Sequence, residues 1–175
     1  MPRGPHGRSR FKRYVERHHT LLKRSIDEGF VGVVQLPLYF PGPVSIGYRV
    51  RGEIGCLDNL VIAVDFTLEV VDESGVDDVI EMTDYSFNVF VRGHGNVIRY
   101  DNLHPDFLHE GHADPHHRHE FDWKTGDEVP GSPRWLGKGA QPSLADVIAE
   151  AREWYWQHRE ELPEAVSVGA VGVRR

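Results

Sequence analysis

Leu60 to Val70 alternates for eleven residues, with Ile62, Val64, Phe66, Leu68 and Val70 on one side and Ala63, Asp65, Thr67 and Glu69 on the other. That period of two belongs to an extended strand with one buried and one wetted face. A turn around Asp72-Glu73-Ser74-Gly75 leads into a second long run, Val79 to Val91. Its apolar parity changes from Ile80 and Met82 to Tyr85, Phe87, Val89 and Val91, which predicts a β-bulge near Thr83-Asp84. Arg92-Gly93-His94-Gly95-Asn96 reads as a tight connection into a third strand, Val97 to Asp101. Its Gly-His-Gly piece lacks the third glycine and the helix of a dinucleotide-binding turn. Three consecutive strands with connections this short point to an antiparallel sheet rather than to a parallel one with helical crossovers.

Helical spacing flanks these strands. Arg10 to Glu28 carries a loose apolar stripe, Phe11, Tyr14, Val15, Leu21, Leu22 and Ile26, and Gly29 follows as its stop. Val31 to Phe40 has strand composition, but Pro37 demotes it to an edge or a bend, and alternation resumes over Val44, Ile46, Tyr48 and Val50. Ser143 is a helix N-cap with Asp146 placed to answer it, and Leu144, Val147, Ile148, Ala151, Tyr155, His158 and Leu162 follow helical spacing until Pro163. The expected fold is α+β: an antiparallel β-sheet with an N-terminal and a C-terminal helix packed on it and a long His-rich loop. The expected organisation is a disordered basic tail over 1–9 and one domain over 10–162, then a tail or edge strand over 163–175. Within that domain, 10–56 reads as a helical and edge-strand extension.

The single cysteine, Cys56, excludes an internal disulfide and fits a reducing compartment. No apolar run approaches the roughly 20 residues that span a bilayer, and the basic N-terminus lacks the apolar segment of a signal peptide. A cytoplasmic protein without membrane contact is the expectation. The net charge of -7 hides an asymmetry, because residues 1–24 hold eight Lys/Arg against one acid, Glu16. Nucleic acid is therefore not attracted over the whole acidic body, although the basic head could touch phosphates locally or pair with the body's own acids.

Chemistry concentrates after the third strand. Six of eleven histidines lie between His104 and His119, in a stretch that reads as irregular for about forty residues after Asn102. His18 and His19 read instead as helix surface groups, His158 as a packing residue, and Trp123 and Trp135 as anchors of the long loop. Imidazole exchanges protons near neutrality and is the commonest metal ligand. Strand alternation places Arg99 and Asp101 on one face of Val97 to Asp101, pointing toward solvent or a cleft if Ile98 and Tyr100 enter the core.

Two uses of the cluster stay open at this level, beside a merely solvated loop. In metal-free phosphoryl transfer one neutral histidine removes a 2′-hydroxyl proton, a protonated one feeds the leaving oxygen and an arginine stabilises phosphate charge. His117, His119, Arg99 and also Arg118 suit these roles, with Asp101 orienting a ring. In the metal reading, His117-x-His119 binds one cation such as zinc, with His112, His104 or Asp101 as third ligand. No other cofactor is expected.

Arg99-Tyr100-Asp101-Asn102, then His104-Pro105, Pro115-His116-His117-Arg118-His119 and a helix opened by Pro142-Ser143-Leu144 together resemble the TumE-type toxin family over roughly residues 57–162. Arg118 stands where that family usually has lysine. The resemblance implies a prokaryotic toxin of a type II toxin–antitoxin pair that acts on RNA as a ribonuclease, with 57–162 as the family-like core of the domain. It also implies a cognate DNA-binding antitoxin as partner. It carries importance onto Arg99, Asp101, His116, His117 and His119. Homo-oligomer formation is left open.

Overall fold

The computed structural model of the protein describes residues 8–39, 47–72, 75–102, 116–137 and 139–163. In chain order these form β1 (Ser9–Arg10), α1 (Phe11–Asp27), β2 (Val31–Gln35), β3 (Leu38–Tyr39), β4 (Gly47–Cys56), β5 (Leu60–Asp72) and β6 (Val79–Val91). They continue with β7 (Asn96–Asn102), β8 (His116–Glu120), β9 (Arg134–Trp135) and α2 (Leu144–His158). One antiparallel sheet holds the nine described strands in the order β2-β4-β5-β6-β7-β8-β9, with β1 against β6 and β3 against β4.

The alternation of β5 and β6 decides which face is covered. Ile62, Val64, Phe66 and Leu68 lie beside Val89, Phe87, Tyr85 and Met82, and all but Met82 are buried. Between Phe66 and Leu68 the register slips by one residue opposite Thr83-Asp84, the bulge that the parity change predicts. Both helices lie on this face. Tyr14 of α1 meets Phe66 edge-on at 6.3 Å, and Leu144, Val147, Ile148, Ala151 and Tyr155 of α2 are buried in the same core. Each large side chain buried there contributes about 1.5–3 kcal/mol.

Local chemistry ends the elements where the sequence places the signals. Gly29 has φ of +75°, the left-handed conformation of a helix stop. Ser143 Oγ accepts from the Asp146 amide at 3.3 Å while the Ser143 amide donates to Asp146 at 2.8 Å, a complete capping box. The chain breaks between β2 and β3 at Leu36-Pro37. Gly52 is needed for a close approach, since a Cβ there would fall 1.8 Å from the Gln35 carbonyl oxygen.

Several readings change. His116–Glu120 and Arg134–Trp135 are strands, so the stretch expected to be irregular after Asn102 is in part the edge of the sheet. Residues 103–115, which include His104, His109 and His112, lie outside the described residues, as do 1–7 and 164–175. Ser9, expected in a disordered tail, pairs with Ile80, and Arg8 donates to Glu81 at 2.9 Å. This part of the basic head thus answers the body's own acids. His18 is not a surface group but half-buried, its ring 3.9 Å from that of Tyr14 and 6.5 Å from that of Phe66.

Candidate functional site

The register between β7 and β8 builds the site. Arg99 lies opposite His119, Tyr100 opposite Arg118, Asp101 opposite His117 and Asn102 opposite His116. Successive residues of a strand point to opposite faces, so Arg99, Asp101, His117 and His119 share the face away from the helices. Tyr100, Arg118 and His116 share the face toward them. His116, grouped with the other histidines by sequence, is therefore separated from them, and its Nδ1 lies 3.0 Å from the Tyr85 hydroxyl.

On the open face Asp101 is the centre. It is 5% exposed; its Oδ2 takes Arg99 Nε at 2.7 Å, and its Oδ1 contacts His117 Nε2 and lies 3.9 Å from His119 Nε2. Burial alone would raise its pKa. Hydrogen bonding and attraction from His117, then attraction from Arg99, outweigh that and hold the carboxyl below its ordinary value. Arg99 and Asp101 thus share the face that the alternation predicts, Asp101 buried within the site and Arg99, whose side chain is 36% exposed, at its rim.

The protonation pattern of His119 follows from its neighbours. Arg99 Nη2 is 3.0 Å from His119 Nε2, and a guanidinium can only donate, so Nε2 is the acceptor. The ring proton is on Nδ1, where Glu128 receives it. Two aromatic rings enclose the pair: Phe121 stacks on His119 at 6.0 Å and Trp135 lies 5.1 Å from His117. The two imidazoles are perpendicular to each other with centroids 5.0 Å apart.

Glu128, Phe121 and Trp135 were not site residues in the sequence reading. Trp123 is buried as an anchor should be, but Trp135 is 39% exposed and belongs to the site. Trp135 has a signal in retrospect, an aromatic side chain in a stretch able to pair with β8. Glu128 has none, because only the turn beyond Phe121 returns it to His119. Cys56 is excluded as a nucleophile, since burial pushes its thiol up to about 12.

Asp101, His117 and His119 each offer one ligand atom, all within 4.8 Å of one another, and could hold a divalent cation. Two imidazole nitrogens and a carboxylate oxygen form a donor set suited to such an ion. His112 cannot be compared with them, because it lies outside the described residues.

Behind the site, on the helix side, Arg118 is clamped. Its Nε and Nη2 donate to Glu150 at 2.9 and 2.6 Å and its Nη1 to Glu120 at 2.6 Å, while the Tyr100 hydroxyl donates to Glu150. The network ties the strand pair of the site to α2. A cavity of about 560 Å³ lined by Arg118, Trp123, Trp154 and His158 lies on this same side, so cavity and histidine pair do not coincide.

No family model, curated protein or solved structure matches the chain. What the fold and site define is a class: an α+β protein whose antiparallel sheet carries, on the face away from the described helices, an Asp–His–His group and an arginine. Among the described residues, no helix is long and apolar enough to cross a membrane.

Proposed function

We propose that the open face is the active centre of a toxin-like protein of a type II toxin–antitoxin pair, which cleaves RNA by acid–base phosphoryl transfer. The observation that carries this reading is that each histidine has its own carboxylate, Asp101 for His117 and Glu128 for His119, with Arg99 at the rim of both. His119 Nε2 presents a lone pair and takes the 2′-hydroxyl proton. The 2′-oxygen then bonds to phosphorus, and the bond to the 5′-oxygen breaks as the imidazolium form of His117, paired with Asp101, supplies a proton to it. Arg99 turns its donors from His119 to the phosphate oxygens and stabilises the charge that builds there. The products are a 2′,3′-cyclic phosphate and a 5′-hydroxyl, with no further reactant. An RNA target places this work in the cytoplasm, under restraint by a DNA-binding antitoxin.

The test is RNA cleavage by the purified chain, with end-group analysis and growth after induction in cells without a partner. Wild type is expected to yield cyclic phosphate ends and arrest growth, and the His117→Ala/His119→Ala protein to do neither. Equal harmlessness of both folded proteins, with RNA intact, would remove the reading.

A second reading is favoured by Asp101 Oδ1, a buried oxygen that faces both Nε2 atoms, in contact with that of His117 and 3.9 Å from that of His119. In it, Asp101, His117 and His119 hold a structural zinc ion, with Glu128 orienting His119 from behind, and the protein is a binding module. One zinc per chain, lost with thermal stability in the double variant, would favour it over metal-free catalysis.

A further inference from the structure

We infer that the open face takes single-stranded RNA across its strands, with a nucleobase stacked on Trp135 beside the histidines and the backbone continuing to Arg51. The inference rests on the RNA reading above and adds the strandedness and path of the substrate.

The path follows from register. Trp135 lies opposite His117, His117 opposite Asp101, Asp101 opposite Ser86, Ser86 opposite Asp65 and Asp65 opposite Arg51. Every residue of that row shares the face not covered by helices, and five strand spacings span about 24 Å. One end is a half-exposed indole 5.1 Å from the ring of a proposed catalytic histidine. Every base has a π-face, so an aromatic platform next to a phosphate site selects unpaired nucleotides without requiring a particular sequence. A base within a duplex is already stacked on both sides and cannot use it.

The other end is basic. Arg49 already holds both oxygens of Asp65, at 2.9 and 2.8 Å, so Arg51 reaches that carboxylate only at 3.6 Å and its side chain stays 71% exposed. Arg99 lies between the two ends, in the next row. A half-exposed indole and an exposed guanidinium at the two ends of the row, with the Arg99 guanidinium beside it in the next, complement a chain of alternating bases and phosphates. They do not complement an acidic-and-apolar peptide helix, which would leave the indole without a matching flat surface.

The test uses the full chain and a fluorescein-labelled 2′-O-methyl octanucleotide of mixed sequence, which lacks the hydroxyl that cleavage requires. Binding of this strand is expected, with its duplex bound at least about tenfold more weakly. Trp135→Ala should weaken the single strand by roughly tenfold or more, and Trp135→Phe should restore most of the affinity. Arg51→Gln should lower the slope of log affinity against log salt by about 0.7, one phosphate contact on a single strand.

Wild-type affinity in both Trp135 variants, equal affinity for the duplex, or no binding by the wild type would overturn the inference. Cleavage of the unmodified octanucleotide separates the two readings. Trp135-dependent binding without cleavage removes the catalytic reading and keeps the platform. Cleavage with an unchanged KM in Trp135→Ala keeps the catalytic centre and removes the platform.

Discussion

Glu128 receives the Nδ1 proton of His119 because the other ring nitrogen already accepts from Arg99, 3.0 Å away. A carboxylate from a turn thus selects the tautomer of an imidazole on a strand. Histidines that act as bases or ligands depend on such a partner for ring orientation, and its removal typically costs about 10–100-fold in activity or affinity. Glu128→Ala should therefore lower RNA cleavage by roughly that factor. Glu128→Gln should lose less, since the amide oxygen still accepts the proton. Glu128 is 38% exposed, so the stability of both variants should stay within about 0.5 kcal/mol of wild type. Nitrogen chemical shifts of His119 report the tautomer directly, and an unchanged rate in Glu128→Ala would show that the pairing is incidental.

Asp101 gives the site a pH signature. Its folded pKa lies below the ordinary carboxylate value near 3.8, so the ionised form is the one that folding favours. Its contribution to stability is fully present above that value and is lost as pH falls through the lower folded value. Asp101→Asn should unfold about 4–8 °C lower at pH 7, the effect of losing about 2 kcal/mol of charge-assisted hydrogen bonding in a chain of this size. The gap between the two melting temperatures should close below about pH 4. A gap that stays constant down to pH 2.5 would mean that the asparagine acts through packing rather than charge.

How much of this was legible in the sequence depends on which forces set each element. β5, β6 and α2 carry their own instructions, since period-two alternation, the parity shift at Thr83-Asp84 and the Ser143 cap are all local. β8 carries none of these. His116-His117-Arg118-His119 has no apolar side to bury, and it is a strand because β7 and β9 hydrogen-bond it from both sides. Once it is a strand, alternation follows and divides the histidines between two faces, a distinction that a loop reading could not make. Arg99 and Asp101 were legible as site residues because their strand was. Glu128 and Trp135 were not, because their places depend on a turn that closes on β8.

Arg118 supplies a prediction about the helix side. Its side chain is 10% exposed and its charge is shared by Glu150, 29% exposed, and Glu120, 50% exposed. Burial works against that charge, and the hydrogen bonds that Arg118 donates to both carboxylates outweigh it, so the guanidinium stays ionised. Glu150→Ala leaves a buried cation with one exposed partner and removes the acceptor of Tyr100, at a cost of about 3–5 kcal/mol. Glu120→Ala should cost less than about 1 kcal/mol, the range of an exposed pair. Urea unfolding of the two variants gives both numbers, and equal costs would mean that Arg118 does not depend on α2.

The two adjacent histidines His116 and His117 provide the sharpest separation of structure from chemistry. They are one residue apart, equally basic and in the same strand, yet one faces Tyr85 and the other Asp101. His116→Gln keeps a polar group near the Tyr85 hydroxyl and should cost no more than about 1 kcal/mol of stability. Its cleavage rate should stay within about threefold of wild type, since it lies on the opposite face of β8 from Arg99, His117 and His119. His117→Gln removes a proton carrier and should slow cleavage by about 10²–10⁴-fold. If both variants lose activity alike while remaining folded, the division of the strand into two faces is wrong and the cluster acts as a loop. If only His117→Gln does, the alternation of β8 has chosen which histidine can do chemistry.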